Sequence, residues 1–135
     1  MSTLTIVRGL PGSGKTTWAR AQPGHVRVSR DDLRAMLHGG MLGLGWAERQ
    51  VSIAEHTLVD ALLRAGLNVI SDNTNLNGTH VRVLTAVARA AGAEVVVRDF
   101  TDVDVAECVA RDAARPVPVG EEVIRAMWRR YLRPR

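Results

Sequence analysis

Leu4-Thr5-Ile6-Val7-Arg8-Gly9-Leu10-Pro11-Gly12-Ser13-Gly14-Lys15-Thr16-Thr17 is the stretch that decides the fold. Its first four residues are a β-rich run, and from Gly9 to Thr16 it fits G-x-x-x-x-G-K-[ST], the P-loop pattern. A helix should begin there, carry Trp18 and Ala19 in its first turns and end before Pro23-Gly24. Glycines let the backbone curl so that successive N–H groups point at one phosphate, and the helix N-terminus adds positive potential. Pro11, Gly12, Ser13, Gly14, Lys15, Thr16 and Thr17 are therefore the candidate nucleotide cradle. Lys15 is expected to reach the β- and γ-phosphates of ATP and the Thr16 hydroxyl to ligate Mg²⁺. A glycine-rich turn can match the pattern by chance; the strand before and the helix after favour the P-loop.

Working outward, His25 to Ser29 alternates polar and apolar, as a half-buried or edge strand does. Arg30 to Leu37 reads as a helix with its acids early. Glycines break up residues 39–45, and helical periodicity returns from Trp46 to Ala65. Leu67 to Ser71 reads as a strand, followed by a polar turn over 72–78. Val83, Leu84, Val87, Ala88 and Ala91 mark another helix, and Glu94 to Arg98 another strand. Thr101-x-x-Asp104 resembles a capping box that would open a helix holding Val105, Cys108 and Val109. Residues 111–118 read as an arginine- and proline-bearing loop in the position of a lid, and the last helix carries Val123, Ile124, Met127, Trp128 and Tyr131. Strands separated by single helices imply right-handed crossovers and a parallel sheet covered on both faces, an α/β fold.

The chain has 135 residues, a length for one domain rather than two. Hydrophobic residues are 46% and charged residues 24%, which argues against disorder. No apolar run approaches the ~18 residues of a membrane span, and the first residues lack a signal peptide's regions. The single cysteine, Cys108, excludes an internal disulfide and a cysteine-based zinc motif. The expectation is a cytoplasmic globular domain without a membrane partner. Net charge is +4, favouring polyanionic partners. Of the 18 basic residues only Lys15 is lysine, so the P-loop holds the one slim ammonium group in an arginine-rich chain.

Other positions carry two readings each. Asp31 and Arg34, at i and i+3, are either a local ion pair near a helix start or, at the strand C-termini that line such a sheet's crevice, a general base and an anion clamp. Asp72 closes a strand as either a turn residue or an acid for Mg²⁺. Arg111 and Arg115 are either solvated or lid arginines on the γ-phosphate. The histidines (His25, His38, His56, His80) show no metal spacing and read as structural or surface residues. Trp18 and Trp128 read as core; Trp46 is the one candidate for stacking a base.

Several segments together resemble a known family. The opening run through Arg20, the acceptor-like Ser29-Arg30-Asp31-Asp32-Leu33-Arg34, and Ile70-Ser71-Asp72-Asn73-Thr74-Asn75-Leu76-Asn77 look like the kinase domain of the phage polynucleotide kinase/phosphatase family. So do Arg111 and Arg115, Val117-Pro118 and Val123-Ile124-Arg125-x-Met127. The P-loop is shared by many kinases; Arg-Asp-Asp-x-x-Arg followed by Asp-Asn-Thr-Asn is narrower. The resemblance implies a kinase-type P-loop NTPase sandwich that moves the γ-phosphoryl of ATP to a 5′-hydroxyl end of DNA or RNA. It implies Asp31 as general base, Arg34 on the acceptor's 3′-phosphate with Asn75 beside it, Arg115 on the transferring phosphoryl and Arg111 as a second lid contact. An extra residue in Asp72-Asn73-Thr74-Asn75 leaves either Asp72 or Asn73 for the acidic position. The lid is short, with Arg115 directly before Pro116. No Asp-x-Asp phosphatase motif follows, so the expectation is a kinase alone or an excised domain, with a phosphatase separate or fused elsewhere.

The rival readings are a small-molecule or sugar-nucleotide kinase on the same fold and a non-catalytic nucleic-acid-binding domain that keeps the P-loop. DNA or RNA preference stays open, as does a homo-oligomer, for which exposed parts of the last helix could be the interface.

Overall fold

The structure, a computed structural model, describes residues 1–134. Strands β1 (Thr3–Arg8), β2 (His25–Val28), β3 (Asn68–Asp72) and β4 (Glu94–Asp99) alternate with helices α1 (Lys15–Arg20), α2 (Arg30–His38), α3 (Gly45–Arg64), α4 (Gly78–Ala90), α5 (Val105–Ala113) and α6 (Glu121–Met127). Trp128–Leu132 continues α6 as a π-helical turn. The strands form one parallel sheet in the order β2-β3-β1-β4, so the strand that feeds the P-loop is interior. This is the α/β, kinase-type P-loop architecture that the motif order implies.

Strand alternation divides the core. Leu4 and Ile6 of β1 join Val28, Val69, Val51, Val59, Leu63 and Leu84 in the main cluster, under α3 and α4. Val7 and Ile70 face the other way, onto Ala19 and Trp18 of α1 and onto Phe100. Each fully buried Leu, Ile or Val of these layers contributes about 1.5–3 kcal/mol. A third cluster, Leu10, Leu76, Cys108 and Ile124, packs α5 and α6 against the P-loop and the β3–α4 turn.

Register aligns the strand ends that matter. Val7 pairs with Asp72 and Val28 with Ser71. The P-loop, the start of α2 and the turn after β3 therefore leave the sheet at one edge, where an open α/β sheet binds its ligand.

Local chemistry sets the boundaries. Ser29 Oγ caps α2 by accepting from Asp32 N, and Gly39 in the left-handed region (φ 74°) ends it. Asn77 caps α4 from Gly78 onward, earlier than the apolar periodicity alone places it. Two expectations change. The capping box does not form: α5 starts at Val105, its N-cap Asp104 makes no side-chain cap bond, and Thr101 N donates instead to Asp99 Oδ1. And α5 runs through Ala113, so Arg111 lies on its last turn rather than in the loop. An i,i+4 pair with Glu107 supports that turn, and Pro116 disfavours helix at Arg115.

Candidate functional site

The P-loop conformation depends on two glycines. Gly12 has φ 81° and approaches α5 so closely that a Cβ would stand 2.3 Å from the Cys108 carbonyl oxygen. Gly14, at φ 94°, caps α1, and a Cβ there would touch the Arg111 guanidinium at 3.5 Å. Lys15 Nζ lies 3.4 Å from the Leu10 carbonyl, folded over its own loop. Burial pushes its pKa down; the charges of Asp72 and Asp31 oppose that without cancelling it.

At the end of β3, Asp72 and Asn73 diverge. Asp72 Oδ1 accepts from the Thr16 hydroxyl at 3.3 Å, and its Oδ2 accepts from Arg27 Nε at 2.6 Å. Asn73 turns away: its Oδ1 accepts from Arg30 N and its Nδ2 donates to Glu55 and Ser71. Of the two residues between which the sequence left the choice open, Asp72 is the one that stands beside the P-loop threonine. Two hard oxygens, a hydroxyl and a carboxylate, facing a polar cavity fit Mg²⁺, which binds through one or two carboxylates, waters and substrate phosphates. Arg27 also holds Asp32 through Nη1 at 2.6 Å, locking the β2 end to the start of α2.

The N-terminal half of α2 presents Asp31 and Arg34 together. Arg34 Nη1 donates to Asp31 Oδ1 at 2.7 Å, while its Nε and Nη2 grip Glu48 of α3 at 2.8 and 2.7 Å. This fork pushes the Glu48 pKa down to about 2, chiefly through the hydrogen bonds from Arg34. Asp31 stays 81% exposed, with one oxygen outside the pair.

The segment after α5, where the sequence places a lid, is tied down by a residue that the sequence patterns did not single out. Asp112, buried at the end of α5, accepts from Val119 N (3.0 Å), Gly120 N (2.9 Å) and Arg115 Nη1 (3.3 Å). Burial works against its charge, but the two backbone donors and Arg115 prevail and its pKa is lowered. The 112–120 segment is thus closed on its own carboxylate, with Arg115 half-exposed above it.

These parts surround two adjoining cavities. The first, about 440 Å³, is lined by Pro11, Gly12, Gly14, Lys15, Thr16, Thr17, Asp72, Arg111 and Arg115, with Arg20, Arg27 and Asp32. The second, about 500 Å³, is lined by Arg34, Asn75 and His80 and by an apolar wall of Met41, Leu76, Val123 and Met127. Asp31 lines both, as do Pro11, Asn73, Thr74 and Val119. Ser13 lies beneath the loop, its hydroxyl buried and unpartnered. Asn75 is mostly a brace: its Nδ2 donates to the Val7 carbonyl (2.8 Å) and to Ser71, and its backbone sits at φ 47°. Trp46 lines neither cavity; it is 53% exposed and meets His38 edge-on. Arg27, Glu48 and Asp112 were missed because their partners are brought to them only by the fold or are backbone amides; only Arg27 left a signal, a charged residue on the polar phase of β2 near its C-terminal end.

Among the described residues no helix is long and apolar enough to cross a membrane. The AAA_33 family, described as an AAA domain, matches residues 4–134. A protein of the Autographa californica nuclear polyhedrosis virus, named as a bifunctional polynucleotide kinase/RNA ligase, is 26% identical over 145 residues; the match takes in 96% of this chain and 21% of the viral one. A chain in the solved Pnkp1/Rnl/Hen1 RNA repair complex superposes with a TM-score of 0.81 at 31% identity, covering 93% of this chain and 42% of that one. The chain thus spans well under half the length of either relative. The Mycobacterium tuberculosis APS kinase CysC, solved with AMPPNP and APS, shares the fold at 17% identity with a TM-score of 0.64, covering 84% of this chain and 69% of its own.

Proposed function

The chain belongs to the AAA_33 family of AAA-domain proteins, and on that footing we propose that it is a polynucleotide 5′-hydroxyl kinase that transfers the γ-phosphoryl group of ATP to DNA or RNA ends. The observation that carries the reading is the position of Asp31, on the shared wall of a P-loop cavity and a second cavity that holds Arg34. A phosphoryl group entering from one side and a hydroxyl from the other meet at its carboxylate. The likeness to chains named for polynucleotide kinase and RNA repair supports a nucleic-acid acceptor over a small molecule.

A primary hydroxyl is a poor nucleophile, and phosphoryl transfer leaves the protein mainly positioning and charge stabilisation to perform. The P-loop N–H groups and Lys15 hold the β- and γ-phosphates. Thr16 and Asp72 are the residues that would hold Mg²⁺, which supplies charge neutralisation on the phosphate oxygens. The free oxygen of Asp31 accepts the proton of the attacking hydroxyl, a contribution of ~10²–10⁴ in rate. Arg34, preset by Glu48, takes the acceptor's phosphate. Arg115, with Arg111 behind it, meets the charge that develops on the transferring group, worth ~10³–10⁵. Contacts to phosphate rather than to base edges make the acceptor site tolerant of sequence and sensitive to salt.

Label from γ-labelled ATP should appear on a 5′-hydroxyl oligonucleotide and not on one already 5′-phosphorylated, and Lys15→Ala should abolish it. If the oligonucleotide neither accepts label nor inhibits ATP turnover, the acceptor is a small molecule or sugar nucleotide instead. If Mg·ATP does not bind at all, the domain is a non-catalytic nucleic-acid binder.

A further inference from the structure

Behind the acceptor cavity, the adjacent Glu55 and His56 of α3 meet His80 of α4. Glu55 is fully buried, and its Oε1 lies 3.3 Å from Nε2 of His80 and 3.7 Å from Nε2 of His56. All three ligand atoms fall within 4.8 Å of one another, and among the described residues this is the group of histidine and carboxylate side chains that meets that condition. Both imidazole Nε2 atoms are buried; His56 Nε2 has no hydrogen-bond partner, and His80 Nε2 has none of good geometry, its one neighbouring acceptor being Glu55 Oε1, although buried polar atoms are nearly always satisfied.

The spacing has a geometric meaning. Ligands at ~2.0–2.1 Å around a tetrahedral ion stand about 3.3 Å apart. The two oxygen-to-nitrogen separations approach that edge, and the three ligand atoms together lie within 4.8 Å. The carboxylate is oriented as metal-bound carboxylates are, its Oε2 accepting from Asn73 Nδ2 at 3.0 Å. Arg30 Nη1 shares Oε1 at 2.9 Å but is also held by Ser52, and Nη2 by Glu48, so the guanidinium has other partners if an ion draws on that oxygen.

We propose that Glu55, His56 and His80 form a site for a zinc-class divalent transition ion, separate from the all-oxygen Mg²⁺ position at Thr16 and Asp72. Two imidazoles and one carboxylate are borderline donors that suit Zn²⁺ or Co²⁺ and not Mg²⁺. The ion joins α3 to α4 and, through Asn73 and Arg30, fixes the β3 end and the start of α2. His80 reaches from it into the wall of the acceptor cavity.

The test uses tag-free protein freed of metal with a chelator, titrated with Zn²⁺ by calorimetry and with Co²⁺ by visible absorption, in excess Mg²⁺. One ion per chain, the d–d spectrum of four-coordinate Co²⁺ and a rise in melting temperature with Zn²⁺ are expected. His56→Gln and His80→Gln, each checked for folding by circular dichroism, should weaken binding by ~10²-fold or more, while His25→Gln should not. No stoichiometric binding, an octahedral Co²⁺ spectrum, or equal loss in His25→Gln overturns the site.

Discussion

Arg27 Nε stands 2.6 Å from Oδ2 of the buried Asp72, which leaves the other Asp72 oxygen facing Thr16. The guanidinium is only 20% exposed and bridges onward to Asp32, so it neutralises the acid and fixes its direction together. Removing one partner of such a pair strands a buried charge, at about 3 kcal/mol. Arg27→Ala should lose about that much in denaturant unfolding, and the double variant Arg27→Ala/Asp72→Asn should recover more than half of it. If the double variant is as unstable as the sum of the two single ones, the pair does not act as a unit.

Arg34 is aimed by Glu48. Glu48→Gln keeps the shape but weakens the fork, so the KM for the oligonucleotide should rise roughly tenfold, about 1.4 kcal/mol of acceptor binding, with the KM for ATP unchanged. An equal rise in both KM values would contradict the assignment of Arg34 to the acceptor side.

The same pair sets a pH window. Glu48 has its folded pKa lowered to about 2 from an ordinary 4.5, so the unfolded chain binds a proton first as pH falls. Its stabilisation is complete above about pH 4.5 and lost progressively down to about pH 2. Wild-type stability should fall through that window more steeply than that of Glu48→Gln; parallel curves would show that the ion pair contributes nothing.

Gly12 and Gly24 both have positive φ, at 81° and 71°, but only Gly12 faces a backbone wall. Gly24→Ala should cost about 1 kcal/mol from conformation alone. Gly12→Ala adds a collision with the Cys108 carbonyl and should cost several-fold more and remove ATP binding. Equal melting temperatures for the two variants would contradict the close approach of the P-loop to α5.

Asp112→Asn removes the charge that accepts two backbone N–H groups and Arg115. It should destabilise by ~1–3 kcal/mol and raise the KM for ATP as the lid loosens. A normal KM for ATP in a folded Asp112→Asn variant would mean that the lid does not depend on its anchor.

What could be read from the sequence follows a physical line. The P-loop, the strands and helices around it and the Asp31–Arg34 pair were legible because their information is local: glycines at fixed spacing, a period of two or of 3.6, an acid three residues before an arginine. The choice between Asp72 and Asn73 was not, because it depends on which residue the pleat turns toward Thr16, and one step along a strand reverses the face. Glu48, Glu55 and Asp112 escaped for another reason. Their partners lie on other helices or are backbone amides of a folded loop, and no sequence pattern reports a contact that only packing creates. The capping box at Thr101 failed because Asp99 reached the Thr101 amide first.

The central claim is that Asp31 takes the proton at the junction of the two cavities. Single-turnover transfer from ATP to a 5′-hydroxyl oligonucleotide by Asp31→Asn, with ATP affinity measured in parallel, tests it most directly. The account predicts a rate lower by ~10²–10⁴ with ATP binding intact. A variant that binds ATP and transfers phosphate at the wild-type rate would contradict it.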